Sequence, residues 1–241
     1  MKPIYEPKGR AKEYGDYAIN IYTGCPHRCY YCFAPSVLHK DREIFHSHVE
    51  PRKGIVEAVK KQLEQERTTG KLIHLCFTCD PYPKGYDGTE TREIIKLLKE
   101  YGNHVQILTK NGADAMRDFD LLDSEDWFGI THTGYTVAPT SPPRGEPNAG
   151  TLLDRLKALV VAKNKGVNTW VSCEPTIYPM GVFRLIETGD YIDLFKIGKL
   201  NYHPLDIDWS EFGKETERLC KVHNRNYYIK ESLRSEMQKQ S

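Results

Sequence analysis

A dominant charge is what this chain most conspicuously lacks: 34 Lys and Arg stand against 33 Asp and Glu, a formal net charge of +1. No global basic field draws it to nucleic acid or to an anionic membrane, so any nucleic-acid site has to be local. Long apolar runs are missing as well. No stretch approaches the ~20 apolar residues of a membrane span, and Lys2 is not followed by an apolar segment. The expectation is a soluble, unexported protein with no membrane partner. Internal repeats and low-complexity tracts are absent, and 241 residues read as a single domain able to bury a full core. An even cysteine count is absent too. Seven cysteines argue against a disulfide framework and for metal-binding or reactive thiols in a reducing cytoplasm.

What is present is concentrated in residues 22–34, Tyr-Thr-Gly-Cys-Pro-His-Arg-Cys-Tyr-Tyr-Cys-Phe-Ala. Cys25, Cys29 and Cys32 fall in a C-x3-C-x2-C spacing among polar residues. Three cysteines so close together are not ordinary core packing and read as thiolate ligands. Steps of three and four residues let a loop wrap a compact iron-sulfur cluster, Pro26 restricts that loop, and the amides of Arg28, Cys29 and Tyr30 are placed to donate towards it. A structural zinc would want four ligands, and a fourth is missing locally. Zinc stays open only by joining Cys29 and Cys32 to Cys76 and Cys79 as two C-x2-C pairs, the signature of a non-enzymatic interaction module.

Along the chain, residues 1–16, with Pro3, Pro7, Gly9 and Gly15, read as an irregular, loosely held lead-in, and 17–230 as the core. Apolar and β-branched runs predict strands over 17–22, 72–77, 105–109, 128–137, 168–173 and 191–197, with 227–229 a last short strand. Helical periodicity predicts helices over 54–65, 93–101, 113–122, 152–160 and 180–187, and a capping box at Asp208 opens another towards His223. Residues 33–53 show no clear period, and their His39, His46 and His48 read as ordinary loop imidazoles. Residues 138–150 form a Pro-rich loop, either a lid or a surface excursion. Residues 231–241 are a terminal helix or frayed tail. Six strands alternating with helices give a parallel α/β fold, in which ligands gather beyond the carboxyl ends of the strands. Those ends carry the cysteine triad, Cys79-Asp80-Pro81-Tyr82, Lys110-Asn111, Glu174-Pro175-Thr176 and Gly198 to His203. A carboxylate after a buried strand needs a partner, which makes Lys199 or Lys196 the expected partner of Glu174.

The 22–34 stretch resembles the cluster loop of radical S-adenosylmethionine (radical SAM) enzymes. Together with Thr78 to Tyr82, Leu108-Thr109-Lys110, Arg144 to Pro147 and Ser172 to Pro175, it is similar to the spore photoproduct lyase and DNA repair photolyase-like branch. The resemblance implies a partial, three-quarter parallel β/α barrel of about six β/α units. It implies that Cys25, Cys29 and Cys32 hold three irons of a 4Fe-4S cluster. The fourth iron is left to S-adenosylmethionine, which is cleaved to a 5′-deoxyadenosyl radical after an electron arrives from a donor such as a flavodoxin or ferredoxin. Tyr31, Cys79, Asp80 and Lys110 are implied as cofactor contacts, Lys110 through the carboxylate of S-adenosylmethionine. Lys199 and Asn201 are further candidates, and Cys79 and Glu174 candidate catalytic groups. Nucleic acid is the substrate the branch brings to mind, with a peptide or small molecule as the alternative, and electron transfer alone as a plainer one. Two positions depart from the lyase. Phe33 has no hydroxyl where the lyase has a tyrosine, and Phe77 stands where its hydrogen-donating cysteine should be. Both argue against lesion repair. If Phe77 faces the interior, strand alternation should turn Cys76 away from it.

Overall fold

The computed structural model describes residues 2–135 and 145–239. Seven strands, β1 (Tyr17–Ile19), β2 (Leu72–Leu75), β3 (His104–Thr109), β4 (Trp127–Thr131), β5 (Asn168–Cys173), β6 (Leu194–Ile197) and β7 (Tyr227–Ile229), pair side by side in chain order. Every pairing is parallel. A sheet that adds each strand beside the last has no point at which its order reverses, so it curls into a partial barrel instead of an open doubly wound sheet. β7, a short strand by sequence, joins as a full seventh member.

Short helices α1 (Ala34–Val37) and α2 (Arg42–Ser47) occupy the segment without clear period. The crossover helices follow: α3 (Ile55–Glu66), α4 (Thr89–Glu100), α5 (Gly112–Ala115), α6 (Leu152–Asn164), α7 (Pro179–Thr188) and α8 (Trp209–Val222), before the terminal α9 (Glu231–Gln238). The predicted 113–122 helix is only α5 and a 3-10 turn over Met116–Asp118. Helix starts follow the sequence closely: Thr151 Oγ1 accepts from Asp154 N at 3.0 Å, and Asp208 Oδ1 from Glu211 N at 2.9 Å.

Alternation along the strands divides inside from outside. Ile73, Leu75, Val105, Ile107, Phe128, Ile130, Val171, Phe195 and Ile197 pack on the helices as the hydrophobic core, each burial worth roughly 1.5–3 kcal/mol. The residues between them, His74, Gln106, Trp170, Ser172 and Lys196, line the barrel interior and touch one another or Tyr14. Gly129 makes room for this layer, since a Cβ there would lie 2.3 Å from Trp170 Nε1. Tyr14 comes from the lead-in, which is not loose. Residues Gly9–Glu13 form a 3-10 helix, Tyr5 pairs with Ala18, and Tyr14 plugs the barrel against His74, Phe77 and Trp170. Several strands end earlier than predicted. β1 stops at Ile19, β2 at Leu75 and β4 at Thr131, and the chain after β1 and β2 leaves the sheet for the loops that build the site; residues 136 and 137 of the predicted 128–137 strand lie outside the described residues.

Candidate metal and cofactor site

The loop after β1 turns sharply at Gly24, where a Cβ would meet Phe45 O at 2.3 Å and His48 O at 2.8 Å. Only glycine allows that approach, and it brings Cys25, Cys29 and Cys32 to one wall of a cavity of about 1000 Å³ at the carboxyl ends of the strands. The outer side of the loop is held by Arg42, whose guanidinium donates to the carbonyls of Cys29, Tyr30 and Cys32. With the carbonyls bound outwards, the thiols are free to face in. Of the amides expected to point at a cluster, Tyr30 N is instead spent on Gly145 O at 2.9 Å. The amides of His27 and Ala34 are the ones that reach the sulfurs of Cys25 and Cys32. Burial pushes the Cys29 thiol up to about 12 despite the pull of Lys110, and pushes Cys25 well above its usual range. Thiols so buried become thiolates only when a strongly Lewis-acidic metal centre takes them. Three soft donors, amide hydrogen bonds to sulfur and open space beside them suit a cluster with one iron left free.

Beneath the loop lies a buried ion pair that sequence reasoning did not assign. Glu146 accepts from Arg155 at 2.6 Å, both side chains being wholly buried, and its other oxygen accepts from the Tyr31 hydroxyl. Arg155 also donates to Thr131 O and Gly150 O. Of the 138–150 loop, residues 145–150 are neither lid nor free excursion. Asn148 N bonds His27 O, Asn148 Nδ2 bonds Pro26 O, and Gly150 N bonds Lys110 O, so the segment straps the cysteine loop to β3. Arg144 lies outside the described residues. The readable signal was Arg155 itself, a charge on the face of α6 that Leu152 and Leu159 bury.

Asp80 is 5% exposed and accepts from Thr109 Oγ1 at 2.6 Å, Lys110 N at 2.8 Å and Tyr82 N at 2.9 Å. It ties the β2 end to the β3 end and so aims Lys110. The Lys110 ammonium stands 5.9 Å over the Tyr31 ring. Burial would lower its pKa, but Cys29, Glu146 and Asp80 together raise it, so it stays charged. A fixed cation beside the thiols is placed for a carboxylate.

All ten sequence-derived site residues line this one cavity. Glu174, Lys199 and Asn201 sit in its deeper part, with a corrected pairing. Glu174 takes Lys230 at 2.6 Å, the Tyr14 hydroxyl at 2.8 Å and Asn201 Nδ2 at 3.3 Å. Lys199 pairs with Glu236, and Lys196 donates to the carbonyls of Glu13 and Tyr14. Tyr14 and Lys230, from opposite ends of the chain, carry no local pattern that would have marked them. Alternation does not turn Cys76 away either. β2 has ended at Leu75, and Cys76, Phe77 and Cys79 all line the cavity. Among the described residues, Cys29, Cys32, Cys76 and Cys79 do not bring their sulfurs together within zinc-binding distances of one another, so the four do not form a zinc site.

A family model described as the radical SAM superfamily matches residues 19–179. An uncharacterized protein of the Acidianus two-tailed virus is 29% identical over 188 residues, covering 72% of this chain and 60% of that protein. The chain therefore spans less than two thirds of this relative's length. Among solved structures, a spore photoproduct lyase variant with bound AdoMet and dinucleoside spore photoproduct superposes with a TM-score of 0.68 at 14% identity, covering 93% of this chain and 78% of that one. A spore photoproduct lyase complexed with dinucleoside spore photoproduct gives the same TM-score and identity over 93% and 79% of the two chains. At this identity the likeness is one of fold.

Proposed function

The chain belongs to the radical SAM superfamily, and on that footing we propose that it is a radical SAM enzyme of the spore photoproduct lyase-like branch, acting on a nucleic-acid substrate. The observation that carries the reading is the meeting of Cys25, Cys29, Cys32, Tyr31 and Lys110 in one cavity. The three thiolates would hold a 4Fe-4S cluster. When bound, the cluster and S-adenosylmethionine supply a 5′-deoxyadenosyl radical, fed by an electron from a flavodoxin- or ferredoxin-like donor. Lys110 would hold the methionyl carboxylate, and Asp80 fixes the strand end from which Lys110 projects. Tyr31, its hydroxyl anchored by Glu146, would set its backbone against the adenine. Tyr14, plugging the interior of the partial barrel, would help to keep water from the reacting atoms.

Glu174 and Asn201, bonded to each other on the cavity wall, would give a substrate a fixed polar surface. Support for nucleic acid comes from the dinucleoside photoproduct carried by structures of the same fold. Phe33 and Phe77 still stand against the lesion-repair reaction itself. A peptide or small molecule is the second reading, supported by two cavity lysines, Lys199 and Lys230, being paired with Glu236 and Glu174 and so withheld from a phosphate backbone. Anaerobic reconstitution with iron and sulfide, followed by assay for 5′-deoxyadenosine, tests the core reading. A folded protein that assembles no cluster, or never cleaves S-adenosylmethionine, would refute it. DNA, RNA and peptide pools added to that assay distinguish the substrates by which one accelerates cleavage.

A further inference from the structure

Beyond β2, Cys76-Phe77-Thr78-Cys79 forms a turn that carries two neighbouring thiols. Asn20 Oδ1 accepts from both intervening amides, Phe77 N and Thr78 N, each at 2.8 Å, and Asn20 Nδ2 donates to the Tyr5 hydroxyl at 2.8 Å. This clamp holds the turn, in which the Cys76 and Cys79 side chains are near enough to perturb each other. Both face the cavity. Neither is needed to hold iron if Cys25, Cys29 and Cys32 do so, and the reading above leaves Cys76 unused.

The surroundings of the two sulfurs differ in sign. Cys79 Sγ accepts from Tyr22 N at 3.4 Å, and Arg52, whose buried Nε has no partner, adds a positive charge nearby. Burial works against a thiolate at Cys79, but the Cys76 thiol, the Tyr22 and Ile21 amides and Arg52 outweigh it, and its pKa falls. Cys76 is raised, by burial first and by Cys79 next. A thiol whose pKa is lowered near one whose pKa is raised, at C-x2-C spacing on one cavity wall, suits an attacking thiol and a resolving thiol. Cys173 and Cys220 provide an internal contrast: burial pushes both up, and neither faces the cavity.

We propose that Cys76 and Cys79 are a redox-active dithiol that exchanges with a small disulfide admitted to the cavity and closes reversibly to an intramolecular disulfide. The Cys79 thiolate attacks one sulfur of the incoming R–S–S–R, breaking that bond and releasing one thiolate while a mixed disulfide forms. Cys76 passes its proton to the released thiolate, and its sulfur attacks Cys79 Sγ, expelling the second R–S⁻. The pair gives up two electrons, the incoming disulfide accepts them, and it leaves as one thiol and one thiolate. A dithiol reductant runs the sequence backwards. The exchange needs no iron and stands apart from the radical chemistry.

The test uses the full chain, iron-free and iron-loaded, without oxygen, in glutathione buffers of rising oxidised fraction, quenched with acid, alkylated and digested. The peptide covering residues 72–84 is expected to lose the mass of two hydrogens and to escape alkylation, while Cys173 and Cys220 are alkylated after unfolding. Dithiothreitol is expected to restore both thiols. Cys76→Ser is expected to stop at a glutathione adduct on Cys79. Cys79→Ser should react about tenfold more slowly or less, because the ionised sulfur has gone. A peptide that stays a dithiol in every buffer, or equal reactivity of the two variants, overturns the proposal. The iron-free arm answers whether or not a cluster assembles, so failure of the radical reading remains distinguishable.

Discussion

Tyr31 and Arg155 hold the two oxygens of one carboxylate, that of Glu146, from opposite sides. Because Glu146 and Arg155 are both wholly buried, neither charge has water to fall back on. Glu146→Gln keeps an acceptor for Tyr31 but strands the guanidinium, and a loss of about 3–5 kcal/mol in urea unfolding of the iron-free protein is expected. The same variant should hold less iron after reconstitution, since the strap under the cysteine loop loosens.

Lys110 is expected to act on cofactor binding. Removing a charge-assisted contact to a carboxylate is worth about 1.5–3 kcal/mol, so Lys110→Met should weaken S-adenosylmethionine binding roughly 10- to 100-fold in equilibrium dialysis, with cluster absorbance unchanged. Affinity within a factor of two of the parent would assign the lysine to solvent.

The acid limb of stability should be set in part by buried histidines. Burial lowers His74 from 6.5 to about 3 and His132 to about 4. Unfolded, each returns to about 6.5. Between those values the unfolded chain binds more protons, so stability is full above pH ~6.5 and falls as pH drops towards ~3. Urea midpoints at pH 7 and pH 5 should differ more for the parent than for His74→Leu. An unchanged pH difference would mean His74 is already protonated when folded.

Metal loss should separate site from scaffold. The cysteine loop is held by Arg42 on its carbonyls and by Gly145 on the Tyr30 amide, not by its thiols. Cys29→Ala is therefore expected to lose cluster absorbance while keeping its far-ultraviolet circular dichroism. A collapse of the latter would make the thiol part of the core.

The sheet was legible because its outward residues form apolar runs: β5 matches its sequence-derived bounds, and β7 does too. Strand ends were not, because Asn20 to Tyr22 and Cys76-Phe77 keep strand-like composition after leaving the ladder, and composition does not register a lost neighbour. The site's rim was legible for the same topological reason, ligands lying beyond strand ends. Its supports were not. Tyr14 meets Glu174, and Glu146 meets Tyr31, across 160 and 115 positions, and no local period encodes such a meeting. The choice of Lys199 or Lys196 as partner for Glu174 failed because nearness in sequence stood in for nearness in space, whereas Lys230 arrives from the end of β7.

That last contact sets an order of events during synthesis. Tyr14, Glu174 and Lys230 complete the cavity floor together, and a chain emerging amino end first presents its cysteine loop long before residue 230 has left the ribosome. Until then the sheet lacks its last strand and Glu174 lacks its lysine, so the wall of the cavity opposite the cysteine loop is the last part to be supplied.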